Sequence, residues 1–139
     1  MARLAELEGT QWTGTAELWL DPLGNDVQKS DCTMTIEPRE VLYTWSHEGK
    51  EHQGSVALRE DGADFTDTWH QPETMRCEPV GGALGIFQVQ GQYGPDSEWR
   101  WRIGLSLRTP TGELVLQMTN IAPWGEEARA VRMTATRPP

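Results

Sequence analysis

The chain has 139 residues, with 12 lysine and arginine residues against 21 aspartate and glutamate residues, and a formal net charge of -9. This length is enough for one domain that buries a core, so we expect a single domain over 1–139. Binding to nucleic acid requires clustered positive charge, so the acidic balance argues against a nucleic-acid partner and is explained by solubility.

The amino end predicts at most one or two helical turns within the first eight residues, packed through Leu4 and Leu7. It contains no apolar run of signal-peptide length, and no segment approaches a membrane span. We therefore expect a cytoplasmic protein without membrane insertion. Cys32 and Cys77 lie far apart and form no CxxC pair, which predicts two buried free thiols.

From residue 11 onward the pattern has a period of two, which predicts strands. Turn signals separate them at 21–26 (DPLGND), 48–51 (EGKE), 60–64 (EDGAD), 80–83 (VGGA), 93–97 (YGPDS), 109–113 (TPTGE) and 122–127 (APWGEE). The predicted strands are 11–20, 27–37, 40–48, 52–60, 63–70, 74–79, 84–93, 98–108, 113–121 and 127–137.

Short turns between consecutive strands require antiparallel pairing, because parallel strands need crossover connections. Closure removes edge strands, and few of these segments carry the lysine or proline that protects an exposed edge. The sequence therefore predicts an all-β protein. We expect a single antiparallel up-and-down β-barrel of about ten strands, with a short helical turn at the amino end and no helical lid.

The stretch EWRWRIGLSL at 98–107 decides which side chains face inward. Its odd positions are Trp99, Trp101, Ile103, Leu105 and Leu107, and its even positions include Arg100 and Arg102. A face that is apolar at every position is the buried face of a strand. We expect the tryptophans inside and the arginines outside, paired with acidic residues on neighbouring strands.

The same alternation assigns inner positions on other strands. They include Trp12, Ala16 and Leu18; Val41, Tyr43 and Trp45; Phe87, Val89 and Tyr93; and Leu114, Leu116 and Met118. Trp19 falls on the outer face. On the fifth strand Phe65 and Trp69 share a face with Asp67, whereas Thr66, Thr68 and His70 share the other.

Histidines are the candidates for site chemistry. His70 lies beside a tryptophan at a strand end and is a candidate general base, although no nucleophile motif accompanies it. His47 and His52 flank the EGKE turn, and we expect them to face each other at a solvated hairpin tip without a metal ion. The chain contains no GxSxG, HExxH or phosphate-loop motif, and we expect no cofactor.

Four stretches carry a resemblance to known proteins: LEGTQWTG at 7–14, DFTDTWHQPE at 64–73, VQGQYGPDSEWRWRI at 89–103 and the final VRMTATRP. They resemble the calycin superfamily of lipocalin, fatty-acid-binding and nitrobindin-like barrels, closest to bacterial calycin-like families of unknown function. The resemblance implies a closed barrel in which an arginine of the last strand crosses the first tryptophan. Trp12 is that tryptophan, and Arg132 or Arg137 is the arginine.

Departures from the family pattern narrow what the resemblance implies. Two residues separate Gly9 from Trp12, where lipocalins have one. The Arg-x-Tyr pair that holds a fatty-acid carboxylate has its nearest equivalent in Arg132 and Thr134, which weakens a fatty-acid role. Nitrobindin-like barrels hold haem through a histidine near the carboxyl end, and this chain has none after His70.

The leading functional hypothesis is non-catalytic binding of a small, largely apolar molecule inside the barrel. The predicted cavity wall is formed by Tyr43, Trp45, Phe65, Trp69, His70, Phe87, Trp99, Trp101 and Met118. One alternative is a cyclase-type or isomerase-type enzyme with His70 transferring a proton. Another is an interaction module, such as a homodimer, that uses Trp19 and Trp124.

Overall fold

In the computed structural model, residues 3–21, 25–81 and 85–137 are described. Ten strands account for most of them: β1 Gln11–Trp19, β2 Val27–Glu37, β3 Glu40–His47, β4 Lys50–Arg59, β5 Gly62–Asp67, β6 Gln71–Pro79, β7 Phe87–Tyr93, β8 Trp99–Arg108, β9 Glu113–Ile121 and β10 Glu127–Thr136. Two short 3-10 turns, Leu4–Leu7 and Pro95–Ser97, are the helical segments of the described chain.

The strands form one closed antiparallel barrel in which each strand pairs with its neighbours in sequence and β1 pairs with β10. The predicted ten-strand up-and-down barrel is therefore confirmed. Closure brings β1 and β10 into close contact at Gly14, where a side chain would overlap the backbone of Thr134 and Ala135. Glycine is required there because the two backbones leave no room for a Cβ atom.

One end of the barrel, which we call the closed end, is covered by the 3-10 turn. Leu4 and Leu7 of that turn are buried against the core. Gly9 donates a backbone hydrogen bond to Ile36 at 2.8 Å, and Ile36 donates to Thr10 at 3.0 Å. The amino-terminal segment is thus fixed to β2 and seals this end with apolar side chains.

Alternation along the strands fills the interior as predicted. Trp101, Ile103 and Leu105 of β8 are buried, whereas Arg102 faces outward and pairs with Glu127 of β10. The inner positions predicted on β3 and β9 are buried as well. Each such aliphatic side chain contributes about 1.5–3 kcal/mol when fully buried, so this inner layer supplies much of the stability of the fold.

Strand boundaries differ from the predictions mainly around β5. The fifth strand was expected over 63–70 but ends at Asp67, and β6 begins at Gln71 instead of residue 74. The predicted seventh strand, 84–93, starts at Phe87, and its first residue lies outside the described chain. Parts of the predicted turns at 21–26 and 80–83, and the first two residues of the predicted amino-terminal helical segment, also lie outside it.

Cys32 and Cys77 are buried free thiols, as predicted. Burial raises the pKa of Cys32 to about 12 and that of Cys77 to about 11. Both thiols are therefore protonated at neutral pH and act as small apolar side chains. Among the residues described, no helix is long and apolar enough to cross a membrane.

Candidate functional site

A row of aromatic rings in contact occupies the end of the barrel opposite the closed end, and we call this end the aromatic end. Five rings lie in sequence, with centroids 4.8, 5.5, 5.2 and 6.4 Å apart. In order they are His52, Trp45, His70, Trp101 and Phe65, and we call this set the ring column. Trp69 packs edge-on against Trp45 and His70 and is 41% exposed.

The carboxylate of Asp67 holds the ring column together. Asp67 is only 1% exposed and accepts hydrogen bonds from the Tyr43 hydroxyl at 2.5 Å and from Trp45 Nε1 at 3.2 Å. Its other oxygen accepts from the backbone N–H groups of Trp69 and His70 at 2.8 and 2.9 Å. These last two bonds form a tight turn over 68–70, which ends β5 and directs His70 toward the column.

Gly54 of β4 makes room for one of these bonds. A Cβ atom at this position would overlap the hydroxyl of Tyr43, which lies directly across from it on β3. Burial, followed by the charge of Asp67, raises the pKa of Tyr43 well above its usual value. The phenol therefore stays protonated and donates its hydrogen to the carboxylate.

Two buried ring nitrogens in the centre of the column have no hydrogen-bond partner among the described residues: His70 Nε2 and Trp101 Nε1. Burial lowers the pKa of His70 from 6.5 to about 4, an effect that nearby Asp67 opposes and His52 reinforces. His70 is therefore neutral at pH 7. A histidine with so low a pKa is a weak base, so proton transfer of the cyclase or isomerase type gains no support here.

The structure corrects two predictions about the histidines. Alternation placed His70 on the face opposite Phe65, although the predicted cavity wall included it; the turn after Asp67 places its ring in the ring column, near Phe65. His52 was expected at a solvated hairpin tip facing His47; instead it pairs with Trp45 and is buried, with Nδ1 3.2 Å from the Thr68 hydroxyl. Within the described segments, no three His, Cys, Asp or Glu side chains meet to hold a metal ion.

The predicted cavity wall is divided between different parts of the barrel. Tyr43, Phe65 and Met118 point inward and are buried. Phe87 is half-buried at the start of β7, near the closed end. Trp99 is half-buried at the rim of the aromatic end, between Tyr93 and the 72% exposed Trp124. The remaining wall residues, Trp45, Trp69, His70 and Trp101, meet at the ring column.

At the closed end the structure distinguishes between the two candidate arginines. The guanidinium of Arg137 lies 5.9 Å from the centre of the Trp12 ring, and Trp12 Nε1 donates to the Thr10 hydroxyl at 2.8 Å. Arg132 lies within β10, opposite Glu17 of β1, so it does not belong to the barrel base. A third arginine, Arg129, covers the half-buried Trp19 at 4.5 Å.

Grooves are present on the outer surface. One of about 630 Å³ crosses β2 to β5 and is lined mainly by hydroxyl and amide side chains, including Thr33, Thr44 and Gln53. Another, of about 900 Å³, lies between β6 and β7. The first groove has polar and apolar surface in similar amounts and the second is lined mainly by polar surface, in contrast to the apolar inner wall that the sequence predicts.

Sequence reasoning missed Asp67 and His52 as members of the site. The signal for Asp67 was present, because alternation placed it on the same face as Phe65. Asp64, three positions earlier, lies on the outer face, where Arg59 and then Arg76 lower its pKa. A carboxylate on an apolar inner face is a functional or structural centre by default, because burying it requires several donors.

The chain matches no protein-family model and no curated protein.

Proposed function

We propose that this protein binds a small, flat, largely apolar molecule at the aromatic end of the barrel, without catalysing a reaction. The observation that carries the proposal is the pair of buried nitrogens, His70 Nε2 and Trp101 Nε1, which lack partners among the described residues. The centroids of their rings are 5.2 Å apart, and we propose that one small group of the ligand reaches both nitrogens.

The chemistry of the two nitrogens indicates the polar group of the ligand. Trp101 Nε1 is a donor only, whereas neutral His70 presents either a donor or an acceptor at Nε2. A hydroxyl group satisfies both nitrogens, since it accepts from the tryptophan and donates to the histidine. Leaving a buried polar atom unpaired costs about 1–3 kcal/mol, so this bond selects an aromatic alcohol over the same ring without its hydroxyl.

We propose that the ligand enters by displacing Trp69. It is the most exposed ring of the cluster, it lies on the turn after β5, and it packs edge-on against its neighbours. Displacing it therefore loses less buried apolar area than displacing Trp45 or Trp101. A flat ligand in its place stacks against rings that Asp67 already holds in position, which lowers the ordering cost of binding.

Titration of the full chain with 2-naphthol and with naphthalene tests the proposal, with tryptophan fluorescence and calorimetry as readouts. We expect 2-naphthol to bind at least about tenfold more tightly, the loss expected when a buried polar pair is left unmade. Trp101→Phe keeps the ring and removes the N–H group, so it should lose this preference.

The matched control is Trp99→Phe, at the rim of the aromatic end and outside the ring column. This variant should bind both probes as the wild-type chain does. The proposal is wrong if neither probe binds, or if Trp101→Phe and Trp99→Phe have the same effect on the ratio of the two affinities.

A further inference from the structure

The groove on the outer face of β2 to β5 has a volume of about 630 Å³, and we call it the hydroxyl groove. This volume falls within the range of about 300–1,000 Å³ that is usual for small-molecule sites. Many of its lining residues are serine or threonine: Thr33, Thr35, Thr44, Ser55, Thr66 and Thr68. The groove therefore offers hydroxyl groups across all four strands.

The described residues that line the hydroxyl groove present no charge to a ligand. Asp67 is one of them, but its carboxylate is buried and already accepts four hydrogen bonds. Asp31 and Glu51 line a smaller depression that adjoins the groove at Thr33 and Thr44. An anionic ligand would meet repulsion from these carboxylates, and a cationic ligand would lose hydration without a carboxylate in the groove to replace it. The lining therefore favours an uncharged ligand.

Hydroxyl groups of the groove are held in cross-strand pairs. Thr33 and Thr44 lie opposite each other on β2 and β3, with their hydroxyl oxygens 2.6 Å apart. Ser55 and Thr66 form a longer pair, 3.4 Å apart, between β4 and β5. Each pair uses one of its two hydroxyl hydrogens, which leaves the other hydrogen and several lone pairs for a ligand. Because the pairs orient these side chains in advance, the ordering cost of binding is low.

Leu42 supplies an apolar contact beside the hydroxyl groups. It is 38% exposed and belongs to a row of opposed residues that crosses four strands: Thr35, Leu42, Ser55 and Thr66. Such a row is about 14 Å long, because neighbouring strands lie about 4.8 Å apart. A sugar ring has an apolar C–H face and hydroxyl groups at its edge. A short chain of sugar rings along this row can therefore contact Leu42 and bond to the hydroxyl groups together.

A peptide or a lipid chain is a poorer occupant. Strand addition requires a free sheet edge, but β2, β3 and β4 each pair with a neighbour on both sides, so binding here depends on side chains. A hydrocarbon chain would cover the hydroxyl groups without offering them hydrogen bonds, and a buried polar group left unpaired costs about 1–3 kcal/mol.

We infer that the hydroxyl groove binds a short, neutral oligosaccharide on the outside of the barrel. The paired hydroxyl groups supply donors and acceptors, Leu42 supplies the apolar contact, and the uncharged lining selects against uronic-acid and amino sugars. This site lies on the outer surface, whereas the ring column lies at the aromatic end inside the barrel wall. It is therefore a second site and goes beyond the proposed function.

A glycan array tests the inference on the full chain, which carries a fluorescent label. The array presents the neutral trisaccharides maltotriose and cellotriose, with trigalacturonate as the anionic probe and the glucosamine trimer as the cationic probe. We expect binding only to neutral trisaccharides. Calorimetric titration with the neutral trisaccharide that binds then measures its affinity for the wild-type chain and for variants.

Three variants locate the site. Thr44→Val keeps the shape of the side chain and removes its hydroxyl group, and we expect it to bind the trisaccharide about tenfold more weakly. Ser55→Ala, in the second pair, should also weaken binding. The matched control is Thr15→Val, on the exposed face of β1 and outside the groove, which should bind as the wild-type chain does.

The inference is overturned if no neutral trisaccharide binds, or if the charged trisaccharides bind equally well. Equal affinities for Thr44→Val and Thr15→Val overturn it as well. Circular dichroism checks that the variants are folded, which is expected because valine is favoured in strands. If Thr44→Val is unfolded, the comparison of Ser55→Ala with Thr15→Val carries the decision.

Discussion

At the closed end, Leu4 and Leu7 cover the core, and Trp12 Nε1 donates a hydrogen bond to the Thr10 hydroxyl. Both the apolar and the polar groups named here therefore stabilise the fold. At the aromatic end, Asp67 makes four hydrogen bonds, yet His70 Nε2 and Trp101 Nε1 above it make none with the described residues. The comparison shows that both ends stabilise the fold, but that the aromatic end also leaves two buried nitrogens without a partner among the described residues, and this is the end at which we propose binding.

The largest expected effect comes from removing the carboxylate that organises the aromatic end. Asp67→Ala leaves four donors without their acceptor, and we expect it to lower the free energy of unfolding by about 3–5 kcal/mol. Urea denaturation measures this loss, and near-ultraviolet circular dichroism should show that the tryptophans lose their fixed environment.

Asp64→Ala is the matched control, because the same residue type lies on the outer face of the same strand between two arginines. Exposed ion pairs contribute about 0–1 kcal/mol, so this variant should stay close to the wild-type chain. Equal losses for the two variants would contradict the role given to Asp67.

Acidification should lower the free energy of unfolding through His70 at the aromatic end. The pKa of His70 lies near 4 in the folded chain, below its ordinary value of 6.5, so the unfolded chain takes up the proton first as the pH falls. The contribution of His70 is complete above pH 6.5 and is lost toward pH 4, which lowers the free energy of unfolding by about 3 kcal/mol. His52 and Asp67 face this ring and remain in both chains compared.

His70→Phe isolates this effect, because it retains a ring in the column and removes the titrating group. Subtracting its free energy of unfolding from that of the wild-type chain, at each pH, leaves the His70 contribution. A difference that stays constant from pH 7 to pH 4 would show that burial of His70 is not linked to its protonation.

Gly54→Ala should produce an intermediate loss. The new methyl group displaces the Tyr43 hydroxyl from its position beside Asp67, and overpacking of this kind costs about 1–3 kcal/mol. Thermal unfolding measures it. Gly104→Ala serves as the control on an outer strand position, where a Cβ atom would meet nothing closer than 3.9 Å, and its effect should stay within about 0.5 kcal/mol.

The smallest expected effect is at the closed end. Arg137→Met removes the cation above Trp12 and should cost about 0.5–1 kcal/mol, the usual contribution of an exposed cation–π contact. Arg100→Met, which removes an arginine without a partner among the described residues, should not change the midpoint of urea unfolding. If Arg137→Met cost more than Asp67→Ala, the closed end would be the more sensitive of the two.

Features of this structure that depend on neighbouring residues are predicted from the sequence, whereas features that depend on turns and on strand pairing are not. Alternation is local, so it located the ten strands and placed Trp101, Ile103 and Leu105 inside. The position of His70 depends on the turn in which Asp67 accepts from two backbone N–H groups. That turn breaks the alternation, which put His70 on the face opposite Phe65 even though the predicted cavity wall included it.

Alternation also does not say which residues of two neighbouring strands lie opposite each other. His52 enters the ring column because its register places it opposite Trp45, and register depends on a turn of two residues, Glu48 and Gly49, with positive φ angles of 52° and 76°. The EGKE motif predicted a turn of four residues, and with that turn both His47 and His52 would lie at the hairpin tip. Alternation does place Asp67 on the inner face with Phe65. A buried carboxylate needs hydrogen-bond donors, and Tyr43 and Trp45 on the inner face of β3 supply them.

The pairing of β1 with β10 also governs when the barrel can form during synthesis. Nine strands leave the ribosome before the partner of Thr13–Leu18 on this side exists. Until then the first strand has one neighbour and an open edge, and its apolar inner face lacks full cover. Closure across nearly the whole chain length is a contact of high sequence separation, which makes it a slow step and a stage at which aggregation competes with folding.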